Sequence, residues 1–215
     1  MVIAMSSLPP FLNNQKPSRS VCLILEGFEE YYYFKRLIEL PVFSSNYKIR
    51  LINAKSAGNI PAKYQEALAS DSHSIVLVVC DRDRRPDAYN GVVQGIDEIL
   101  GDDNAHKIIT FTRPCTLQVI LLHFGNVELT TPAKAAARDD VCRLTGIENY
   151  DAHQDQLEEI CQKIFFRSWD CMIERLKQLS TNPDDMPSSN MNMLFECLCS
   201  DDVSWIDEVN ESIFR

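Results

Sequence analysis

Cationic side chains are scarce in this chain. Lys and Arg total 21 against 31 Asp and Glu, a formal net charge of -10 over 215 residues. That deficit argues against a dedicated nucleic-acid coat, whose affinity comes from neutralising phosphates. It leaves room for an enzyme with a local basic groove, or one lent basic surface by a partner. None of the 8 cysteines forms a Cys-x-x-Cys pair, which argues against a zinc ribbon or a thioredoxin-like motif. Cys197 and Cys199 are two apart, and on a helix they would face nearly opposite sides. No apolar run approaches membrane-spanning length. Residues 1–11 lack a basic start and reach Pro9-Pro10 early, so no secretion signal is expected. All eight cysteines are therefore expected to be reduced thiols in a cytoplasmic protein that makes no use of a membrane. Also missing are the phosphate-binding G-x-x-x-x-G-K-[ST] loop, the dinucleotide G-x-G-x-x-G fingerprint, the G-x-S-x-G elbow and any internal repeat.

What remains is an ordinary globular balance, 45% hydrophobic and 24% charged, enough for one large domain or one domain with an appendage. Residues 1–18 are polar, aperiodic and Pro-containing, and read as a flexible tail. A regular alternation follows. Strands are expected at 21–25, 48–54, 74–80 and 107–112. Helices are expected at 28–40, 60–69 (Pro61 in its first turn), 88–100 (closed by Gly101) and from Pro114 through Phe124. This β-α-β-α-β-α-β-α order predicts an α/β domain over 19–124, a parallel sheet flanked by helices. Residues 125–215 read as a mainly helical C-terminal extension. It would have one helix near 132–144, a long one at 156–179, a polar loop at 180–190 and two short helices at 191–199 and 202–213.

Two acidic signals stand at strand ends. Val21-Cys22-Leu23-Ile24-Leu25 runs into Glu26-Gly27, and Ile75-Val76-Leu77-Val78-Val79-Cys80 runs into Asp81-Arg82-Asp83. In an open parallel α/β sheet, ligands bind just beyond the carboxyl ends of the strands. Glu26, Asp81 and Asp83 could therefore meet in one place. Carboxylates that close repel one another, and a divalent cation relieves the repulsion, which is the chemistry of metal-assisted phosphoryl transfer. The plainer alternatives are that Glu26 caps the following helix, and that Asp81 and Asp83 belong to a solvated turn paired with Arg82, Arg84 and Arg85. Arg113 and Lys55, each following a strand, could hold a phosphate or form surface ion pairs. His123 lies on an apolar helix, where a structural role outweighs that of a base. Tyr31-Tyr32-Tyr33 suggests base stacking less than core packing with one exposed ring.

Here the chain resembles a family. The pairing of strand-Glu-Gly with strand-Asp-x-Asp looks like a Toprim domain, and is closer still to the RloB-like proteins of bacterial restriction and abortive-infection loci. That family reads Glu-Gly, a short gap, Thr-Glu-x-x-Tyr-Phe, then Asp-Arg-Asp, then Asn-Pro-Cys-Phe-Glu and an apolar helix ending Leu-Leu-His-Phe. This chain has Glu26-Gly27-Phe28-Glu29-Glu30-Tyr31-Tyr32-Tyr33-Phe34, then Asp81-Arg82-Asp83, then Arg113-Pro114-Cys115-Thr116-Leu117, closing with Leu121-Leu122-His123-Phe124. The resemblance spans residues 21–124. The gap after Gly27 is shorter by one, Glu29 stands where Thr is usual, Arg113 replaces Asn, and Leu117 replaces the family's Glu.

The resemblance implies a Toprim-like fold and a Mg²⁺- or Mn²⁺-dependent phosphodiesterase, a nuclease effector of antiphage defence working with an ATPase partner. Asp81 and Asp83 would hold the metal, Glu26 would be a general acid/base or a further ligand, and Glu30 would stand behind them. The substrate would be nucleic acid: DNA or RNA, tRNA included. The helical extension, rich in apolar positions, would dock the ATPase. Two other readings stay open. A hydrolase of a small nucleotide signal suits the acidic surface, and a non-catalytic binding subunit suits Leu117.

Overall fold

The computed structural model describes residues 19–82, 86–131 and 133–214. The tail at 1–18 and Asp83 lie outside the described residues. Four strands form where apolar runs were expected: β1 (Arg19–Leu25), β2 (Tyr47–Asn53), β3 (Ile75–Asp81) and β4 (Ile109–Arg113). They pair in the order β2-β1-β3-β4 and all run parallel. Ile75 to Cys80 are buried without alternation, as a strand covered on both faces must be.

The connections follow from handedness. The chain steps one way from β1 to β2 and the other way from β2 to β3 and β3 to β4. Right-handed crossovers then put α1 (Phe28–Glu39) on one face and α2 (Ile60–Ala69) with α3 (Pro86–Leu100) on the other. A Cβ on Gly95 would come 2.6 Å from Pro61 Cγ, so the glycine is what lets α3 approach α2. Gly101 ends α3 at φ +94°, a conformation that costs other residues energy.

Several expectations need correction. First, the sheet has a fifth strand, β5 (Ser188–Ser189), antiparallel to β4 and inside the segment expected to be loop. Its neighbours complete the β4 edge: Asn190 Oδ1 accepts from Phe111 N–H at 2.7 Å, and Ser189 Oγ donates to Phe111 O at 2.9 Å. A Ser-Ser-Asn stretch carries no strand signal because side-chain hydrogen bonds, not apolar burial, hold it there.

Second, the long helix at 156–179 is two helices, α6 (Gln154–Gln162) and α7 (Trp169–Leu176), joined through a 3-10 turn at Phe166–Ser168. The break is sealed by Arg36, whose Nη2 donates to Ile164 O at 2.9 Å, a cation placed on carbonyls left open at a helix end. Third, the helix expected near 132–144 is a 3-10 turn at Lys134–Ala137 followed by α5 (Arg138–Thr145), and the one expected from Pro114 begins later, as α4 (Leu117–Leu122).

The final helices are α8 (Met191–Cys199) and α9 (Ser204–Phe214). Most of the apolar residues of the C-terminal half are spent internally. Met172, Leu176, Phe195, Leu198 and Ile206 are buried in the same core as β1 and β3. Phe165, Phe166, Met193 and Phe214 stay exposed. Among the described residues no helix is long and apolar enough to cross a membrane, and no cysteine is in a disulfide.

Candidate functional site

The sheet changes winding direction between β1 and β3, which is where an open α/β sheet leaves a crevice beyond its strand ends. Glu26 and Asp81 both sit there. Glu26, directly after β1, donates its N–H to Val79 O at 3.0 Å, and its Oε2 accepts from Asp81 N–H at 2.9 Å. The carboxylate of one central strand end thus grips the backbone of the other. Asp81 closes β3 and is half-buried. Its Oδ1 accepts from Thr116 N–H at 2.9 Å and from Thr116 Oγ1 at 3.0 Å.

Helix α1 brings two more acids. Gly27 is its cap, and Glu29 and Glu30 fall in its first turn, facing inward and buried. Glu29 Oε1 accepts from Leu117 N–H at 2.5 Å. The Thr116 and Leu117 N–H groups at the head of α4, which have no partner within a helix, are thereby both bonded to carboxylates. Glu30 Oε2 accepts from Gly27 N–H at 2.8 Å, while its Oε1 is buried with no hydrogen-bond partner.

The electrostatics follow from this crowding. Burial, then Glu29, then Glu26 push the Glu30 carboxyl up to about 7. Burial, then Glu30, Glu29 and Glu26 push Asp81 well above the usual carboxylate range, against the pull of Thr116. Neighbouring carboxylates cannot all ionise in a partly buried cleft unless protons or a cation compensate them. An acceptor-only group of this kind, with one oxygen left over, fits a bound divalent ion.

The residues that meet are only partly those expected. Among the described residues, the group close enough to share one ion is Glu29, Asp81 and Cys115, whose ligand atoms lie within 4.8 Å of one another. Glu26 is outside that group and binds the Asp81 backbone instead. Glu30 is outside it too, buried with its Oε2 on the Gly27 N–H. Glu29 and Cys115 were missed. A signal for them existed: Gly27 fixes the start of α1, so residues 29 and 30 must fall in its first turn, and Cys115 lies two residues past the end of β4, the strand whose Thr112 pairs with Asp81.

The basic candidates are elsewhere engaged or peripheral. Arg113 Nη1 donates to Pro183 O at 3.1 Å and Asp184 O at 2.6 Å, and Arg82 pairs with the Asp184 carboxylate at 2.8 Å. Both hold the 183–185 loop. Lys55 is exposed at φ +69° beyond β2, one strand further out. His123 is buried and bridges Tyr33 Oη at 3.0 Å and Ser168 Oγ at 2.9 Å, a structural placement. Tyr32 and Tyr33 are buried and Tyr31 half-buried, so the tyrosine run is core. No family model, no curated protein and no solved structure matches the chain.

Proposed function

We propose that this chain is a divalent-metal-dependent phosphodiesterase, a Toprim-like nuclease effector of the RloB-like kind, acting in the cytoplasm in antiphage defence with an ATPase partner. The observation that carries the reading is the cluster of Glu26, Glu29, Glu30 and Asp81 at the point where the sheet reverses its winding. The order of the Glu26-Gly27, Asp81-Arg82-Asp83 and Pro114-Cys115 motifs supports it. So does a spatial exchange. The acid usual at the position of Leu117 is lost, but Glu29, where Thr is usual, reaches the Leu117 N–H with its carboxylate.

In this reading Asp81 and Glu29, with Asp83, hold the metal. A bound divalent cation would polarise a phosphoryl oxygen and lower the pKa of an attacking water. In this reading Glu26, whose Oε2 accepts from the Asp81 N–H, would move a proton, with Glu30, its carboxyl pushed up to about 7 by burial and by Glu29, behind it. The net charge of -10 favours a second reading, hydrolysis of a small nucleotide signal, since a polymer would meet this surface poorly. Leu117 favours a third, a binding subunit without catalysis.

Purified protein incubated with Mg²⁺ or Mn²⁺ and, in parallel, DNA, RNA, tRNA and cyclic or linear dinucleotides separates the three. Cleavage of a polymer, lost in Asp81→Asn, is expected. Cleavage of the dinucleotides alone would establish the second reading, and cleavage of nothing, with or without the co-purified ATPase, the third.

A further inference from the structure

One member of the cluster does not suit the metal expected for such a site. Mg²⁺ and Mn²⁺ prefer oxygen donors, whereas a thiolate selects softer ions such as Zn²⁺ and Co²⁺. Cys115 is buried, and its sulfur lies within 4.8 Å of oxygens of both Glu29 and Asp81. The hydrogen bonds from Thr116 and Leu117 hold one oxygen of each acid and aim the pair from the head of α4, the element that Cys115 precedes. The unpartnered Oε1 of Glu30, in a side chain only 2% exposed, is a second and independent sign that the cleft is short of a cation.

We propose that Cys115, Asp81 and Glu29 form a divalent-ion site with mixed sulfur and oxygen donors that prefers zinc or cobalt to magnesium or manganese. The proposal rests on the metal-site reading above and narrows it. On binding, the Cys115 thiol gives up its proton to solvent and the sulfur bonds the ion as thiolate. A fourth donor from Glu30 or from water would complete the ion's coordination, and an open position would leave room for a phosphate oxygen.

The test uses the full chain, stripped of metal and titrated with CoCl₂ under reducing conditions. A near-ultraviolet sulfur-to-cobalt charge-transfer band should grow to one equivalent, survive a large excess of MgCl₂, and vanish on adding one equivalent of ZnCl₂. Cys115→Ser should lose the band and weaken cobalt and zinc binding at least about tenfold, as removal of a metal-site partner does. The Cys197→Ser and Cys199→Ser chains, altered in the C-terminal pair, should keep it. Glu29→Gln should keep the band but need more cobalt to reach it, and thermal melts of every variant without metal should confirm that each is folded. If cobalt raises the melting temperature equally in the parent and in Cys115→Ser, with no charge-transfer band, the sulfur assignment is overturned and the oxygen-donor site stands. If no divalent ion changes either the spectrum or the melt, the assignment falls together with the metal-site reading.

Discussion

Two polar clusters are buried in this molecule, and they are built on opposite principles. One is the relay Tyr33–His123–Ser168. Ser168 Oγ donates to Phe165 O at 2.7 Å, so His123 Nδ1 donates to Ser168 and Nε2 accepts from Tyr33. Every donor has an acceptor, and the imidazole, held at about 3 by burial and by Arg175, stays neutral. The other is the carboxylate cluster, in which acids crowd together and one buried oxygen, Glu30 Oε1, has no hydrogen-bond partner. A satisfied network stabilises the fold, whereas a crowded, unsatisfied one costs energy that a proton or a bound cation relieves. The comparison teaches which buried polar residues to read as structure and which as site.

The sharpest way to break the comparison is to neutralise one residue on each side. Asp81→Asn should cut metal-dependent turnover by about a hundredfold or more, yet melt at the same temperature as the metal-free parent or higher, because repulsion is relieved. His123→Phe should do the reverse. It strands the Tyr33 hydroxyl and should cost roughly 1–3 kcal/mol in chemical denaturation, with turnover retained. A metal-free Asp81→Asn chain that unfolds would remove the distinction.

A gentler lever is pH, where the two clusters carry opposite signs. Glu30 has a folded pKa of about 7, above its ordinary 4.5, so its contribution is present at low pH and lost as pH rises through 7. His123 has a folded pKa of about 3, below its ordinary 6.5, so its contribution is present above 6.5 and lost as pH falls towards 3. In the metal-free parent the two oppose each other between about 4.5 and 6.5. Asp81, also raised, adds to the Glu30 side, so Glu30→Gln should make the melting temperature fall less steeply with pH, and His123→Phe should make it fall more steeply. Melts at a series of pH values settle it, and saturating metal should remove the Glu30 component.

The smallest effect expected is at Arg113. If its role is to hold the 183–184 carbonyls, Arg113→Ala should cost about 1 kcal/mol and leave KM for substrate unchanged. A rise in KM at constant kcat would instead return the phosphate-holding role first expected for it.

These tests also measure what the sequence made legible. The four parallel strands and their crossover helices could be read because a doubly covered strand must be a continuous apolar run, as Ile75–Cys80 is. Glu26 and Asp81 could be read for the same reason, as acids at the ends of such runs. Glu29 and Cys115 were harder to see: Gly27 marks the start of α1, but their meeting with Asp81 depends on the turn between β4 and α4, which hydrogen bonds from Thr116 and Leu117 tie to Asp81 and Glu29. The break between α6 and α7 hid because Leu157, Ile160, Ile164, Met172 and Leu176 keep helical spacing across it, although the exposed Phe165 and Phe166 fall off that stripe.

The two-residue strand β5 has a consequence for how this protein can meet others. It pairs with Thr112 and Arg113, and with Asn190 it occupies the outer rim of β4, so no visiting chain can lengthen the sheet there by adding a strand. The opposite rim belongs to β2, whose exposed Lys48 and Arg50 charge the only long margin the sheet presents among the described residues. Charged margins of this kind keep like molecules from joining edge to edge into aggregates. A chain with few cations has placed two of them where self-association would start.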